Sequence, residues 1–366
     1  AALYEKLFMK DDGFLDVMEM NENKQYRKTS EAAERKEAGL EEWRALYEAA
    51  MAVKELKPWE TFYDMDLITL DGGWEEEVYA SILGRSGECY GITIYEGLDG
   101  LNDFMMLTLS DHMNIPSDFA MACQNNLTCY WGNREELSGE QHRIVKELGY
   151  KFRGKNQWLY FLSFKKGYFP YNMEQNEVHR MTSYLALLKD AILYYRDHQI
   201  QVKFEAEETF VYSAKGKKVT GEAKPLPFTG HNFPVLTLTD EEVLEELRNS
   251  EKCSAVLEAD IISLNAGVQD AVYDRPANPW ICLLADAQSG MILEVEMTGP
   301  EDDEKIILAE ELLSFISQHG VPKEIRVRNV LIEAILEQVC KESGIKLRRV
   351  KRLPNVEEFM ENMKKI

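Results

Sequence analysis

The alternation of apolar and polar positions is clearest between Trp280 and Lys351. Ile281-Cys282-Leu283-Leu284-Ala285 is an apolar run that stops at Asp286, and Ala287-Gln288-Ser289-Gly290 is turn chemistry. Met291 to Met297 is a second strand, so the two runs form a hairpin. Gly290 supplies the positive φ that a residue without Cβ adopts at little cost. Glu301, Asp302, Asp303 and Glu304 crowd the first turn of a helix, where acidic side chains meet the positive end of the dipole. Ile307, Leu308, Leu312, Phe315 and Ile316 recur at helical spacing and mark one buried stripe. His319-Gly320 stops that helix, and Pro322 follows. Glu324 to Arg328 is a short strand. Leu331, Ile335 and Val339, beside Ile332, Leu336 and Cys340, mark a second helix. Gly344 closes it, and Ile345 to Val350 is the last strand. Hairpin, helix, strand, helix, strand predicts an α/β layer whose later strands are parallel.

Upstream the pattern changes. Leu40 to Leu56 reads as an amphipathic helix with Trp43, Leu46, Tyr47 and Met51 on one side. From Pro58 short strands follow at Leu67–Leu70, Val78–Leu83 and Cys89–Tyr95. The turn Gly84-Arg85-Ser86-Gly87 lacks the GxxxxGK[ST] spacing of a phosphate loop and leads into a strand, so it is a hairpin turn. Phe119–Cys123 and Leu127–Trp131 are expected as a hairpin around Gln124-Asn125-Asn126. Ser138 caps a helix from Gly139 to Leu148. Gln157–Phe164 is a strand, Glu174–Arg196 a long helix and Val202–Ser213 another strand. The first domain, residues 1–213, is therefore expected to be α+β with mainly antiparallel strands. Ala214 to Pro234, with Lys215-Gly216-Lys217-Lys218 and several prolines, reads as a linker. The second domain, residues 235–366, opens with a helix (Asp240 to Arg248) and a strand (Ser254 to Ser263).

Composition narrows the function. A chain of 366 residues exceeds what one core fills. Its formal net charge is -22, from 64 acidic against 42 basic residues. Such a surface repels phosphate backbones, which disfavours general nucleic-acid binding and leaves a protein partner as the expectation. No apolar run approaches the ~20 residues of a membrane span, and the first residues carry no signal-peptide pattern. Six cysteines are scattered without CxxC spacing, as expected of buried thiols in a reducing cytoplasm. Lys346, Arg348, Arg349, Lys351 and Arg352 form the dense basic cluster, open to an acidic partner, RNA or the chain's own acidic first domain, and the expectation is a protected edge strand or that intramolecular contact.

Residues from Pro58 to Ile192 include Gly84-Arg85-Ser86-Gly87-Glu88-Cys89-Tyr90-Gly91, Tyr95-Glu96-Gly97-Leu98-Asp99-Gly100-Leu101 and Gly167-Tyr168-Phe169-Pro170. They resemble an uncharacterised domain of bacterial proteins. The second domain, with Arg275-Pro276 and Asp286-Ala287-Gln288-Ser289-Gly290, resembles another uncharacterised domain found joined to it. This resemblance implies no activity. The order of elements from Trp280 onward is also similar to ribonuclease H-like folds, as in transposase and integrase cores. That similarity implies carboxylates clustered around two divalent ions, Mg²⁺ or Mn²⁺, both hard cations that favour oxygen ligands. The pattern places acids on the first strand, in the first helix, at the end of the next strand and in the last helix.

Asp286, Glu310 or Glu311, and Glu357 or Glu358 are the candidates for those positions. Arg328-Asn329 stands where the third acid belongs, so the metal site is expected to be degenerate. The plain reading of Asp286 is a turn acid bonding backbone amides, and of Glu310 and Glu311 solvated helix faces. Arg275 either anchors its loop through a carboxylate or lines a ligand site. Tyr168 and Tyr171, in the aromatic loop, are candidate partner contacts. The expected function is a non-enzymatic binding or protein-interaction protein with no cofactor. The alternatives are a divalent-metal-dependent nuclease or phosphotransferase, and a homo-oligomeric structural protein.

Overall fold

A computed structural model of the chain describes residues 35–216, 218–227, 237–239 and 241–363. The described residues of 34–108 and 123–231 make one compact unit, and those of 109–122 and 232–366 make the other. Among them no helix is long and apolar enough to cross a membrane. All six cysteines are free thiols.

The first unit is built on a seven-stranded sheet. Its strands are β1 (Ile68–Asp71), β2 (Val78–Leu83), β3 (Gly91–Glu96), β4 (Asn126–Gly132), β5 (Trp158–Phe164), β6 (Glu208–Lys215) and β7 (Lys218–Pro225). Their order is β5-β4-β3-β2-β1-β6-β7, and every neighbouring pair is antiparallel except β1 with β6. The helices in this part of the chain are α1 (Leu40–Glu55), α2 (Gly97–Met113), α3 (Ser117–Ala122), α4 (Gly139–Glu147) and α5 (Gln175–His198). The apolar stripes read from the sequence meet in one core. Trp43, Leu46 and Tyr47 of α1 join Val178, Leu185 and Ile192 of α5 over Ile68, Ile82 and Phe210 of the sheet. Ser138 caps α4 through the Gln141 N–H. Glu96 fastens the long helix to β3, accepting from Arg180 Nη1 at 2.6 Å and from the Tyr184 hydroxyl at 2.6 Å.

Two sequence expectations are corrected here. Phe119 to Ala122 lies in helix α3 and not in a hairpin strand. Pro116, Ser117 and Asp118 before it are helix-start chemistry that outweighs the short apolar run. The stretch read as a linker is strand β7 over Lys218–Pro225, paired with β6 from Lys215↔Lys218 to Glu208↔Pro225. Strand β7 buries none of its side chains. Main-chain bonds hold it, so its composition resembles a linker. Residues 228–236 lie outside the described residues.

The second unit holds a five-stranded sheet of β8 (Val256–Ser263), β9 (Trp280–Asp286), β10 (Ile292–Thr298), β11 (Glu324–Val327) and β12 (Lys346–Arg349). Their order is β10-β9-β8-β11-β12. β8, β9 and β10 form an antiparallel meander, and β11 and β12 run parallel to β8. The helices are α6 (Glu241–Asn249), α7 (Glu304–His319), α8 (Val330–Ser343) and α9 (Pro354–Met363). Gly290 has φ 73° and Gly344 ends α8 at φ 73°, as the sequence suggests. Asp303 and Asn329 cap α7 and α8, and of the four acids expected in the first turn of α7 only Glu304 lies there.

Period-two alternation gives the central strand β8 two chemically different faces. Ile261 pairs with Cys282, whose thiol donates to the Glu304 carbonyl at 3.2 Å, so α7 covers that face. Ile262 and Leu283 point the other way and pack with Leu353 and Val356 beneath α9. α3 also packs on β8, with the Phe119 ring centroid 5.0 Å from that of Trp280.

Candidate functional site

On the α9 face of β8 the sequence places two acids, Glu258 and Asp260, inside a strand that is otherwise apolar. Their relative exposures are 1% and 0%. A carboxylate so buried needs partners within the fold. Glu258 finds them at the start of α9. It accepts from the Asn355 N–H at 3.0 Å, from Asn355 Nδ2 at 3.1 Å and from the Val356 N–H at 3.3 Å. It therefore satisfies donors that a helix start leaves without intrahelical acceptors.

Asp260 has a different partner. The parallel register Arg326↔Glu258, carried on by two residues, brings Arg328 beside it. Arg328 Nε donates to Asp260 Oδ2 at 2.5 Å, and Oδ1 accepts from the Ile261 N–H at 3.0 Å. Burial pushes the Asp260 carboxyl up to about 6, with the guanidinium pulling the other way. Arg352 Nε donates to Glu357 at 2.8 Å and holds that carboxyl low, and the charge of Arg328 adds to the effect. On the same face Glu324 accepts from Arg326 at 2.9 Å and Lys346 at 2.8 Å, which hold it down at about 2. Four of the five cluster cations, Lys346, Arg348, Arg349 and Arg352, thus pair with acids of the same unit. β12 is an edge strand whose Arg349 also pairs with Glu333 at 3.3 Å.

The acids chosen from sequence do not come together. Asp286 ends β9, the second strand of the sheet in chain order, whereas the first is β8, whose acids are Glu258 and Asp260. Asp286 is a turn acid. It accepts from the Gln288 N–H at 3.1 Å, the Ser289 N–H at 2.7 Å and the Ser289 hydroxyl at 2.7 Å, which hold its carboxyl below the usual range. Glu310 is buried and Glu311 half-buried on α7, the opposite side of the sheet from Asp260. Neither is a solvated face. Burial, reinforced by Glu294, Glu296 and Glu310, pushes Glu311 up to about 9. Glu357 lies on the α9 side with Arg352, and Glu358 is exposed. Among the described residues no group of three His, Cys, Asp or Glu side chains is placed to hold a metal ion.

Arg275 is buried and pairs with its chain neighbour Asp274 at 3.3 Å. Tyr168 is buried at 7% exposure, with Lys165 Nζ 4.9 Å over its ring. Tyr171 is bound to Ser163 by two main-chain bonds of 2.8 and 3.1 Å, with the Arg35 guanidinium 5.0 Å over its ring. Glu258 and Asp260 are the residues that sequence reasoning missed. The signal was two acids two positions apart inside an apolar strand.

Residues 43–212 match the model of a domain of unknown function (DUF7309), and residues 243–364 match that of another domain of unknown function (DUF6930). The two matches lie in tandem along the chain. No curated protein matches it. Among solved structures, the catalytic core domain of HTLV-2 integrase in complex with magnesium, in trimeric and dimeric forms, is 17% identical. That match covers 31% of this chain and 68% of that one, with a TM-score of 0.23. The simian T-cell lymphotropic virus intasome in complex with the PP2A regulatory subunit B56 gamma is 15% identical. It covers 36% of this chain and 52% of that one, also with a TM-score of 0.23.

Proposed function

We propose that the DUF6930 unit is a ribonuclease H-like module whose metal position is taken by an internal ion pair. On this reading the chain acts by binding a protein partner and not by two-metal chemistry. The strand order supports the fold, with an antiparallel meander continued by two parallel strands beyond its first. The observation that carries the function is Arg328 Nε at 2.5 Å from Asp260 Oδ2. A two-metal centre needs several carboxylates around a shared point. Here the first-strand acid Asp260 is buried against a cation, so a divalent ion meets a nearly neutral pair. The net charge of -22 makes a phosphate backbone a poor partner and a protein surface a better one.

The test is calorimetric titration of Mg²⁺ and Mn²⁺ into the native chain and into Asp260→Asn. The expected result is no saturable binding at millimolar ion. Saturable binding that disappears in the variant overturns the proposal in favour of a metal-dependent nuclease or phosphotransferase.

A further inference from the structure

Three cations meet at one cavity in this acidic chain. The cavity, about 420 Å³, lies within the first unit. Lys54 comes from the last turn of α1 and Trp131 from β4, while Lys151, Arg153 and Gln157 come from the segment leading into β5. Lys54 Nζ donates to Gln157 Oε1 at 2.8 Å and stands 6.0 Å above the Trp131 ring. Burial draws the ammonium pKa down, as for a charge that has lost part of its water. Among the described residues none of the three cations has a carboxylate within ion-pair distance, while the acidic side chains outnumber the basic by 64 to 42. Trp131 is 1% exposed, and its buried Nε1–H donates to no acceptor among the described residues. Buried donors are ordinarily satisfied, because an unmade bond leaves the group's lost hydration uncompensated.

Apart from Glu55, the remaining lining is apolar, from Met51, Phe152 and Leu159. A few polar groups converging on an apolar hollow is the usual composition of a small-molecule site, and the volume falls within the range such sites occupy. The charge of the ligand is limited as well. Glu55 lines the cavity, and the carbonyl end of α1 lies at the same place. Both oppose a second negative charge.

We propose that this cavity binds a small organic carboxylate, its monoanionic head held by Lys54, Lys151 and Arg153 and its apolar body laid against Met51 and Phe152. The site belongs to the DUF7309 unit and is independent of the reading of the Asp260–Arg328 pair.

Calorimetry on the full chain tests it, with phenylacetate, hexanoate and inorganic phosphate as separate probes. Lys151 and Arg153 are exposed, so the double variant Lys151→Ala/Arg153→Ala keeps the fold. The expected result is saturable binding of phenylacetate or hexanoate, weakened about tenfold or more in the double variant. Binding is also expected to change the tryptophan emission, and Trp131→Phe removes that change. No saturable heat up to about 10 mM carboxylate overturns the proposal. Equal affinity in the double variant, or phosphate bound in preference to both carboxylates, does so too.

Discussion

Arg328 donates through Nε to Oδ2 of Asp260 at 2.5 Å, joining the residue that follows β11 to the middle of strand β8, which is buried from Leu257 to Ser263. Two residues earlier along each strand, Arg326 stands opposite Glu258. The sheet face that carries the acids therefore carries its own cations. What the pair contributes depends on both members being present, and that can be measured.

Removing the cation leaves a buried carboxylate alone. Arg328→Met is expected to cost about 3 kcal/mol in urea denaturation, with Asp260→Asn/Arg328→Met costing less than the two single changes together. The deficit depends on pH. Burial already raises Asp260 to about 6, and losing the guanidinium raises it further. A carboxyl raised in this way contributes stability that is full below its unfolded value, ~3.9, and is lost as pH rises through the folded value. The Arg328→Met deficit should therefore be larger at about pH 8 than at about pH 5. Equal deficits would contradict the buried-pair account.

Glu311 makes an independent test of the other face. It is pushed up to about 9 by burial and by Glu294, Glu296 and Glu310, so it is folded neutral and unfolded charged at pH 7. Its contribution is complete below ~4.3 and declines as pH rises toward that folded value. Glu311→Gln removes the titration and is expected to stabilise the unit by on the order of 2 kcal/mol near neutral pH, with little effect near pH 4. Thermal melts across that range check it, and a variant that melts lower at neutral pH would refute it.

Glu258 acts as a cap supplied from another element. Glu258→Ala leaves the Asn355 and Val356 N–H groups without the acceptor they have now. The expected cost is about 1–2 kcal/mol, concentrated in α9. Hydrogen exchange should show faster amides in Asn355 to Glu358 with β9 and β10 unchanged. Uniform acceleration over the whole sheet would mean that the role is not local.

Two glycines with positive φ should respond unequally to alanine. At Gly290, φ 73°, an added Cβ meets Asn355 Oδ1 at 3.1 Å, a side-chain atom able to move. At Gly320, φ 86°, it meets the Glu251 carbonyl oxygen at 2.6 Å, which is backbone. Gly290→Ala is expected to cost about 1 kcal/mol and Gly320→Ala roughly twice that or more. Denaturation midpoints that reverse the order would show that the chain relaxes near α7.

Periodic and punctuated stretches were legible from sequence. Leu308, Leu312 and Phe315 announce α7, Gly344 ends α8, and the Asp286 turn reads as it folds. β7 was not legible, because its edge position leaves pairing without an apolar pattern. α3 was missed because six residues carry little periodicity. The site was missed for a different reason. Asp260 faces a partner 68 positions away, and nothing local to Val256–Ser263 names Arg328. Asp286 drew attention because its strand end is obvious, whereas three turn donors all bind its Oδ1.

The pairing of β1 with β6 has a consequence for biogenesis. Thr69 and Thr209 bond through their hydroxyls at 2.9 Å across 140 residues of chain. β1 is short and has only β2 as a local neighbour, so its other edge waits for a strand synthesised much later. A ribosome delivering about 5–20 residues per second leaves that edge unpaired for several seconds or more. During that interval a nascent chain is the form of this protein most exposed to chaperones and to mispairing with its own copies.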